Sequence, residues 1–292
     1  MLKIIPGEIP HPKMHHYLLH AVAPRPIAFA STIDEKGRSN LSPFSFFNAF
    51  GVNPTTLIFS PSRRGRDNTT KNTFDNILDI PEVVINVVTY EMVNQTSLSS
   101  TEYPKGIDEF IKAGFTKVPS EKVKPFRVKE SPVQIECKVR QVIETGDGGG
   151  AANLVICEVL LMHVSEDILK SDGMIDQQKI RLVGRMGGNY YVKGFGDSLF
   201  EVEKPLATIG IGIDALPDKI KYSPRLSGND LGSLGNLEKI PSQEELDSFS
   251  QSNEFQRLKD RMKDKGADAY KIVKDYIEAG KVEEALKLLL LL

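Results

Sequence analysis

Cysteine is scarce, with Cys137 and Cys157 the only two thiols in 292 residues. Each sits inside a strand-like apolar run. A disulfide scaffold is therefore not expected, and a small buried hydrophobe is the first reading of each thiol, with a redox-active thiol as its rival. No C-x-x-C pair occurs, which removes the usual support for zinc or an iron–sulfur cluster. Excess charge is lacking too: the net charge is −2, so nothing draws the chain to nucleic acid in bulk, and no nucleic-acid partner is expected. No apolar run reaches the roughly 18 residues of a membrane helix. Leu286 to Leu292 is too short, and no membrane partner is expected. MLKIIPGEIPHPK lacks the apolar core and cleavage site of a secretory signal, so a cytoplasmic protein is the expectation. The usual polar catalytic motifs are also missing. There is no GxSxG, no HExxH and no convincing pair of acids. Chemistry, if the chain performs any, then falls to a cofactor that the protein positions.

What is present fits a globular chain, with 40% hydrophobic and 26% charged residues. Its most informative stretch is Pro24 to Phe50, PRPIAFASTIDEKGRSNLSPFSFFNAF. Ile27 to Ile33 is apolar and β-prone, and Asp34-Glu35-Lys36-Gly37 supplies turn chemistry, with Gly37 free to take positive φ. Ser39 to Ser45 then runs small and polar. Pro43 removes a donor there and is expected to stop sheet pairing. A strand ending in Asn40-Leu41-Ser42-Pro43-Phe44-Ser45 has backbone groups to offer, and small hydroxyl side chains that let a flat ring approach.

Thr56 to Phe59 is a short buried strand. The basic, hydroxyl-rich run from Ser60 to Thr73 follows it and leads into a helix carrying Phe74, Ile77 and Leu78. Free N–H groups and the positive dipole end of that helix suit an anion. A solvated basic loop before a capped helix is the alternative, and the position after a strand and downstream of NLSPFS favours phosphate.

The ordered run PRPIAFAST-D-x-x-G-x-x-NLSPFSFFNAF resembles the flavin reductase-like, flavoredoxin-type FMN-binding family. Asp67 to Ile77, Val83 to Val88, and Arg185-Met186-Gly187-Gly188-Asn189-Tyr190-Tyr191 extend the likeness. The resemblance implies a mainly β, α+β fold, an FMN-binding split β-barrel with short helices, here carrying a C-terminal helical extension. It implies FMN against the Asn40–Ser45 strand end, with main-chain groups of Leu41, Ser42 and Phe44 near the ring. Ser60, Ser62, Arg66, Lys71, Asn72 and Thr73 would gather the phosphate. Asn72 stands where the family typically has Asp, which keeps the hydrogen-bonding shape and loses a charge. NAD(P)H would be the co-substrate, passing hydride to FMN mostly by proximity and orientation, with no catalytic side chain singled out. A homodimer with the flavin near its interface, and an oxygenase or electron-transfer partner, are also implied. A flavoredoxin-like carrier that keeps its FMN, or a split barrel that serves as a non-redox scaffold, are the competing readings.

Along the rest of the chain, residues 1–23 read as an N-terminal arm. His11, His15, His16 and His20 fit a short amphipathic helix with surface imidazoles, and no metal site is expected because no carboxylate or thiol completes a set. Residues 24–195 are the expected barrel. Val83 to Val88 reads as a core strand, Asp108 to Lys112 as a short helix closed by Gly114, and Val133 to Glu144 with Leu154 to Val164 as a hairpin through the glycine run 146–150. His163, near the end of that hairpin, reads as structural by position, and the resemblance makes it a candidate for facing flavin or nicotinamide. Arg185 suits an anion or a partner subunit, beside the plainer reading of a last barrel strand with a bulge. The Gly210–Ala215 run fits a dinucleotide fingerprint only on paper, because no βαβ unit surrounds it. Residues 196–241 read as a loop-rich extension. Residues 242–292 read as a helical hairpin opened by a Ser242/Glu245 capping box and broken at Ala279-Gly280.

Overall fold

The computed structural model describes residues 1–202, 204–205, 208–264 and 268–292. The chain forms two compact units, Met1–Phe200 and Glu201–Leu292.

In the first unit, helix α1 (His11–Ala21) buries none of its side chains. Strands β1 (Ala28–Ile33) and β2 (Ser39–Phe44) pair antiparallel from Ala28 opposite Phe44 to Ile33 opposite Ser39. Their turn is built as its residues predict. The Asp34 carboxylate accepts the N–H groups of Lys36 and Arg38 at 3.0 and 2.9 Å, and Gly37 takes a φ of +73°. Then come β3 (Phe47–Val52), β4 (Thr55–Phe59), α2 (Asn72–Asp79) and β5 (Glu82–Val87). A 3-10 turn at Tyr90–Met92 leads into α3 (Val93–Leu98) and α4 (Glu109–Ala113). The two-residue strands β6 (Lys117–Val118) and β7 (Arg127–Val128) pair with each other. The long hairpin β8 (Val133–Glu144) and β9 (Asn153–Val164) follows, and β10 (Val183–Arg185) and β11 (Tyr191–Lys193) close the unit.

Seven strands make one antiparallel sheet in the order β2-β1-β5-β8-β9-β4-β3. Its two edge strands are consecutive in the chain, joined only by Ser45 and Phe46. Laid flat, the edges of such a sheet would stand about 29 Å apart at the usual strand spacing. The link from Phe44 to Phe47 reaches only about 10 Å. The sheet must therefore curl until its edges meet, which makes a barrel split along one seam. Inside it, Ala28, Ala30, Phe44, Phe59, Val83, Ile85, Ile135, Cys137, Val155 and Cys157 form one core. Phe29 and Leu41 point the other way, into a second cluster with Met92, Phe110, Phe115 and Val128 beneath α3 and α4. With both faces covered, β1 is buried at every residue, which explains its continuous run of apolar and small side chains. Burial pushes the Cys137 thiol up to about 12 and the Cys157 thiol well above its ordinary value. Both are inert hydrophobes at neutral pH.

Pairing does not stop at Pro43, contrary to the sequence expectation. Pro43 lies opposite Phe29 within β2. The Asp34 N–H bonds the Arg38 carbonyl at 3.1 Å, and alternation from that pair leaves Pro43 at a position whose N faces away from β1. Its missing donor therefore costs the ladder nothing.

The second unit is helical: α5 (Asp218–Lys221), α6 (Gly228–Gly235), α7 (Gln243–Gln251), α8 (Asn253–Asp264), α9 (Ala269–Glu278) and α10 (Val282–Leu291). Two of these lie in the stretch read as loop. Its Gly, Ser and Asn content hid a capping box between Ser227 and Asp230 and a buried Leu234 that joins Leu216, Ile220 and Leu226 in the core. The stretch read as a hairpin holds four helices. Ser242 and Glu245 do cap α7, and α9 and α10 turn at Gly280, with φ +75°.

Candidate functional site

The free edge of β2, near its start, is held by a buried polar network. Asn40 Oδ1 accepts the Thr73 hydroxyl at 2.7 Å, and Asn40 Nδ2 donates to Glu109 Oε1 at 3.0 Å. The other oxygen of Glu109 accepts the Leu41 N–H at 3.0 Å. Burial pushes the Glu109 carboxyl above the usual glutamate range, against the pull of the Leu41 N–H. The Asn40 side chain, the Leu41 N–H and the Thr73 hydroxyl are thus engaged within the fold. By the alternation that leaves Pro43 facing away, Ser42 and Phe44 spend their backbone groups on β1. The Phe44 side chain fills the barrel, 5.6 Å from Phe59 between ring centres. Ser42, Pro43 and Ser45 remain half-buried at the surface of the strand end.

Three cations of the basic loop after β4 and its end meet on Glu102. Glu102 takes Arg64 at 3.2 Å, Lys71 at 3.6 Å, and Arg66 in a shorter contact. Arg66 also pairs with Asp67 at 3.2 Å, so three cations face two carboxylates and the cluster keeps a positive excess. Burial and the neighbouring charge of Arg64 hold the Lys71 amine below its ordinary value. Lys71 is also the N-cap of α2 and makes no side-chain cap there, so the helix start beside this cluster has no capping side chain for its first N–H groups. Ser60 is buried, and its hydroxyl accepts the Asn153 N–H at 3.2 Å and lies 3.2 Å from the Ser62 hydroxyl. The glycine run of the β8–β9 hairpin packs on the same loop. A Cβ on Gly149 would stand 3.1 Å from the carbonyl oxygens of both Arg64 and Gly65, so a side chain there would push the loop away.

Arg185 lies apart from the basic-loop residues. Its backbone pairs with Arg25, N to O, at 3.0 and 2.8 Å, and its guanidinium lies 4.7 Å over the Tyr191 ring. Arg25 is buried. It donates to the Leu19, Val22 and Met186 carbonyls at 2.7, 2.6 and 3.0 Å and reaches the Ser45 hydroxyl at 3.3 Å. His20 rests on Gly187, where a Cβ would come within 2.3 Å of the ring. The other half of the Arg-x-Gly-Gly motif is thereby a seat for α1.

His163 sits in β9 opposite Gln134. Its Nε2 lies 2.7 Å from Glu136 Oε1. Burial alone would push the Glu136 carboxyl up, but the N–H groups of Glu121 and Lys122, at 3.0 and 2.6 Å, together with His163 bring it below its ordinary value. The histidine serves this tie between strand and loop.

Arg25, Glu102 and Glu109 were not singled out from the sequence. Arg25 carried a signal, a charge inside an otherwise apolar motif. Glu109 and Glu102 carried none, because their partners lie far away in sequence.

The comparisons with known proteins agree with this architecture. A protein of Halalkalibacterium halodurans is 37% identical over 206 residues, 70% of this chain and 97% of its own. One of Aquifex aeolicus is 39% identical over 189 residues, 65% of this chain and 94% of its own. Among solved structures, component B of nitrilotriacetate monooxygenase from Bacillus cereus superposes with a TM-score of 0.64 at 27% identity, covering 69% of this chain and 98% of that one. A protein with a split barrel domain from Shewanella frigidimarina gives a TM-score of 0.57 at 25% identity, covering 67% and 94%. The family model described as flavin reductase like domain matches residues 20–182. That is more than half of the chain, and the protein belongs to the flavin reductase-like family.

Proposed function

We propose that the chain binds FMN and works as an NAD(P)H-dependent flavin reductase. The observation that carries the reading is the excess of positive charge from Arg64, Arg66 and Lys71 over Glu102 and Asp67, set at the uncapped start of α2. A phosphate dianion fits such a donor set. It would meet charge-assisted bonds from Arg66 and Lys71, the Ser62 hydroxyl, and main-chain N–H groups of Asn72 and Thr73. The half-buried Ser42, Pro43 and Ser45 are small enough to let a flat ring lie on the strand end. When bound, FMN supplies the redox chemistry by accepting hydride from the nicotinamide. The protein's residues hold the two rings in register and keep the phosphate anchored, a contribution of proximity and orientation. The nearby network of Asn40, Glu109 and Thr73 acts through position, fixing β2 against α2.

Two further parts of the reading have support. β3 is a sheet-edge strand with Phe50 and Val52 exposed, and Phe46 beside it is exposed as well. An uncovered apolar edge of this kind suits burial against a second copy, which favours a homodimer. The likeness to a monooxygenase component favours an oxygenase as recipient of the reduced flavin.

The test is the visible spectrum of the purified protein with added FMN, followed by NADH or NADPH. Uptake of FMN and bleaching of its band by either nucleotide is the expected result. Tight uptake without bleaching would favour an electron carrier instead, and no uptake would leave a scaffold.

A further inference from the structure

A groove of about 360 Å³ lies between the Tyr90–Met92 turn with α3 and the β10–β11 hairpin. Its base is fixed by backbone, because Tyr90 N–H bonds the Arg181 carbonyl at 3.0 Å and Thr89 bridges Leu182. Tyr90, Asn94, Ser97, Arg185, Tyr191 and Lys193 supply its polar and aromatic lining, and no acid lines it. Two of its cations are unspent. Arg185 donates to the Tyr190 carbonyl at 3.1 Å and lies over Tyr191. Lys193 has its ammonium 4.7 Å over the Tyr90 ring. Neither has a carboxylate partner among the described residues, whereas Arg181 behind them is paired with Glu91. Tyr90 and Tyr191 remain 44% and 39% exposed, which leaves ring surface for stacking.

Two unneutralised cations, two open tyrosines, and amide and hydroxyl groups between them recognise a planar ring joined to phosphate. The volume falls low in the range of small-molecule clefts, which suits one half of a dinucleotide. The Arg25–Arg185 backbone pair connects this groove to Ser45 at the end of β2. We propose that the groove binds the adenosine-phosphate half of the nicotinamide dinucleotide. Arg185 and Lys193 meet its phosphates, a tyrosine face takes the adenine, and the nicotinamide is left to reach the strand end. The proposal rests on the reductase reading above for the identity of the ligand.

The test needs no flavin. ADP-ribose, adenosine and inorganic phosphate are titrated calorimetrically into the full chain, wild type and Lys193→Met, which keeps the stem on Tyr90 and removes the charge. FMN is titrated separately by fluorescence quenching. ADP-ribose is expected to bind wild type more tightly than adenosine or phosphate alone. In Lys193→Met its affinity should fall about tenfold, recover in Lys193→Arg, and leave FMN affinity unchanged. An ADP-ribose affinity that ignores Lys193→Met overturns the proposal, as does phosphate binding as well as ADP-ribose. Parallel loss of FMN affinity also overturns it, because the flavin itself would then occupy the groove. Failure of wild type to bind FMN sinks the reductase reading separately, and the ADP-ribose titration still judges the groove.

Discussion

The Glu109 carboxylate accepts the Leu41 N–H at 3.0 Å, on the side of β2 that no strand covers. A helix 68 residues on in sequence thus supplies the acceptor that a neighbouring strand would have given. Glu109→Ala leaves that N–H and the Asn40 amide buried and unpaired. The expected loss of stability is about 2–5 kcal/mol for two orphaned donors, measured by urea unfolding. The pH dependence has a definite sign. The folded pKa is raised, so the stability contributed by the protonated group is full below the ordinary glutamate value and is lost as pH rises through the raised one. Glu109→Gln cannot ionise and should lack that fall.

Lys71→Ala should weaken FMN binding by about tenfold or more through loss of a charge-assisted contact, with a smaller loss for riboflavin, which has no phosphate. Flavin fluorescence titration reads both. Equal losses would remove the phosphate role. Glu102→Gln should act in the opposite direction and tighten FMN, because Arg64 and Lys71 then lose their carboxylate and Arg66 keeps only Asp67.

The strand β3 gives a test of assembly. Phe50 is 64% and Val52 89% exposed on an unpaired edge. Phe50→Asp should shift the protein from dimer to monomer in sedimentation while leaving the melting curve of the barrel in place. A wild type that sediments as a monomer at all concentrations would sink the dimer.

Glu136 should give the reverse pH signature to Glu109. Its folded pKa is depressed, so its contribution is present above the ordinary glutamate value and fades as pH falls through the depressed one. The groups facing it are His163, the Glu121 and Lys122 N–H groups, and Arg127 Nε at 3.9 Å. Glu136→Gln should cost about 1–3 kcal/mol at neutral pH, and the gap from wild type should narrow in acid. A gap that stays constant with pH would mean that the carboxylate is not held by these donors.

Much of the fold was legible because its signals are local. The Asp34–Gly37 turn, the glycine tip of the β8–β9 hairpin, the Asp108 and Gly114 caps of α4 and the Ser242/Glu245 box each depend on residues a few positions apart. What stayed hidden depends on closure of the barrel. Pro43 reads as a strand breaker until its register opposite Phe29 is known. Nothing local in the sequence shows that the Asn40 side chain and the Thr73 hydroxyl meet each other and Glu109. The basic loop was visible as charge, but Glu102, which partly neutralises it, lies some 30 residues beyond. His163 looked available until β8 placed Glu136 beneath it.

Helix α1 adds no side chain to either core of the barrel unit. Arg25 grips it through the Leu19 and Val22 carbonyls, groups that every amino acid carries. Apart from His20 on Gly187, the arm's sequence is therefore free to drift at almost no expense to the barrel. Whatever fixes the identity of those leading residues acts from outside the folded core.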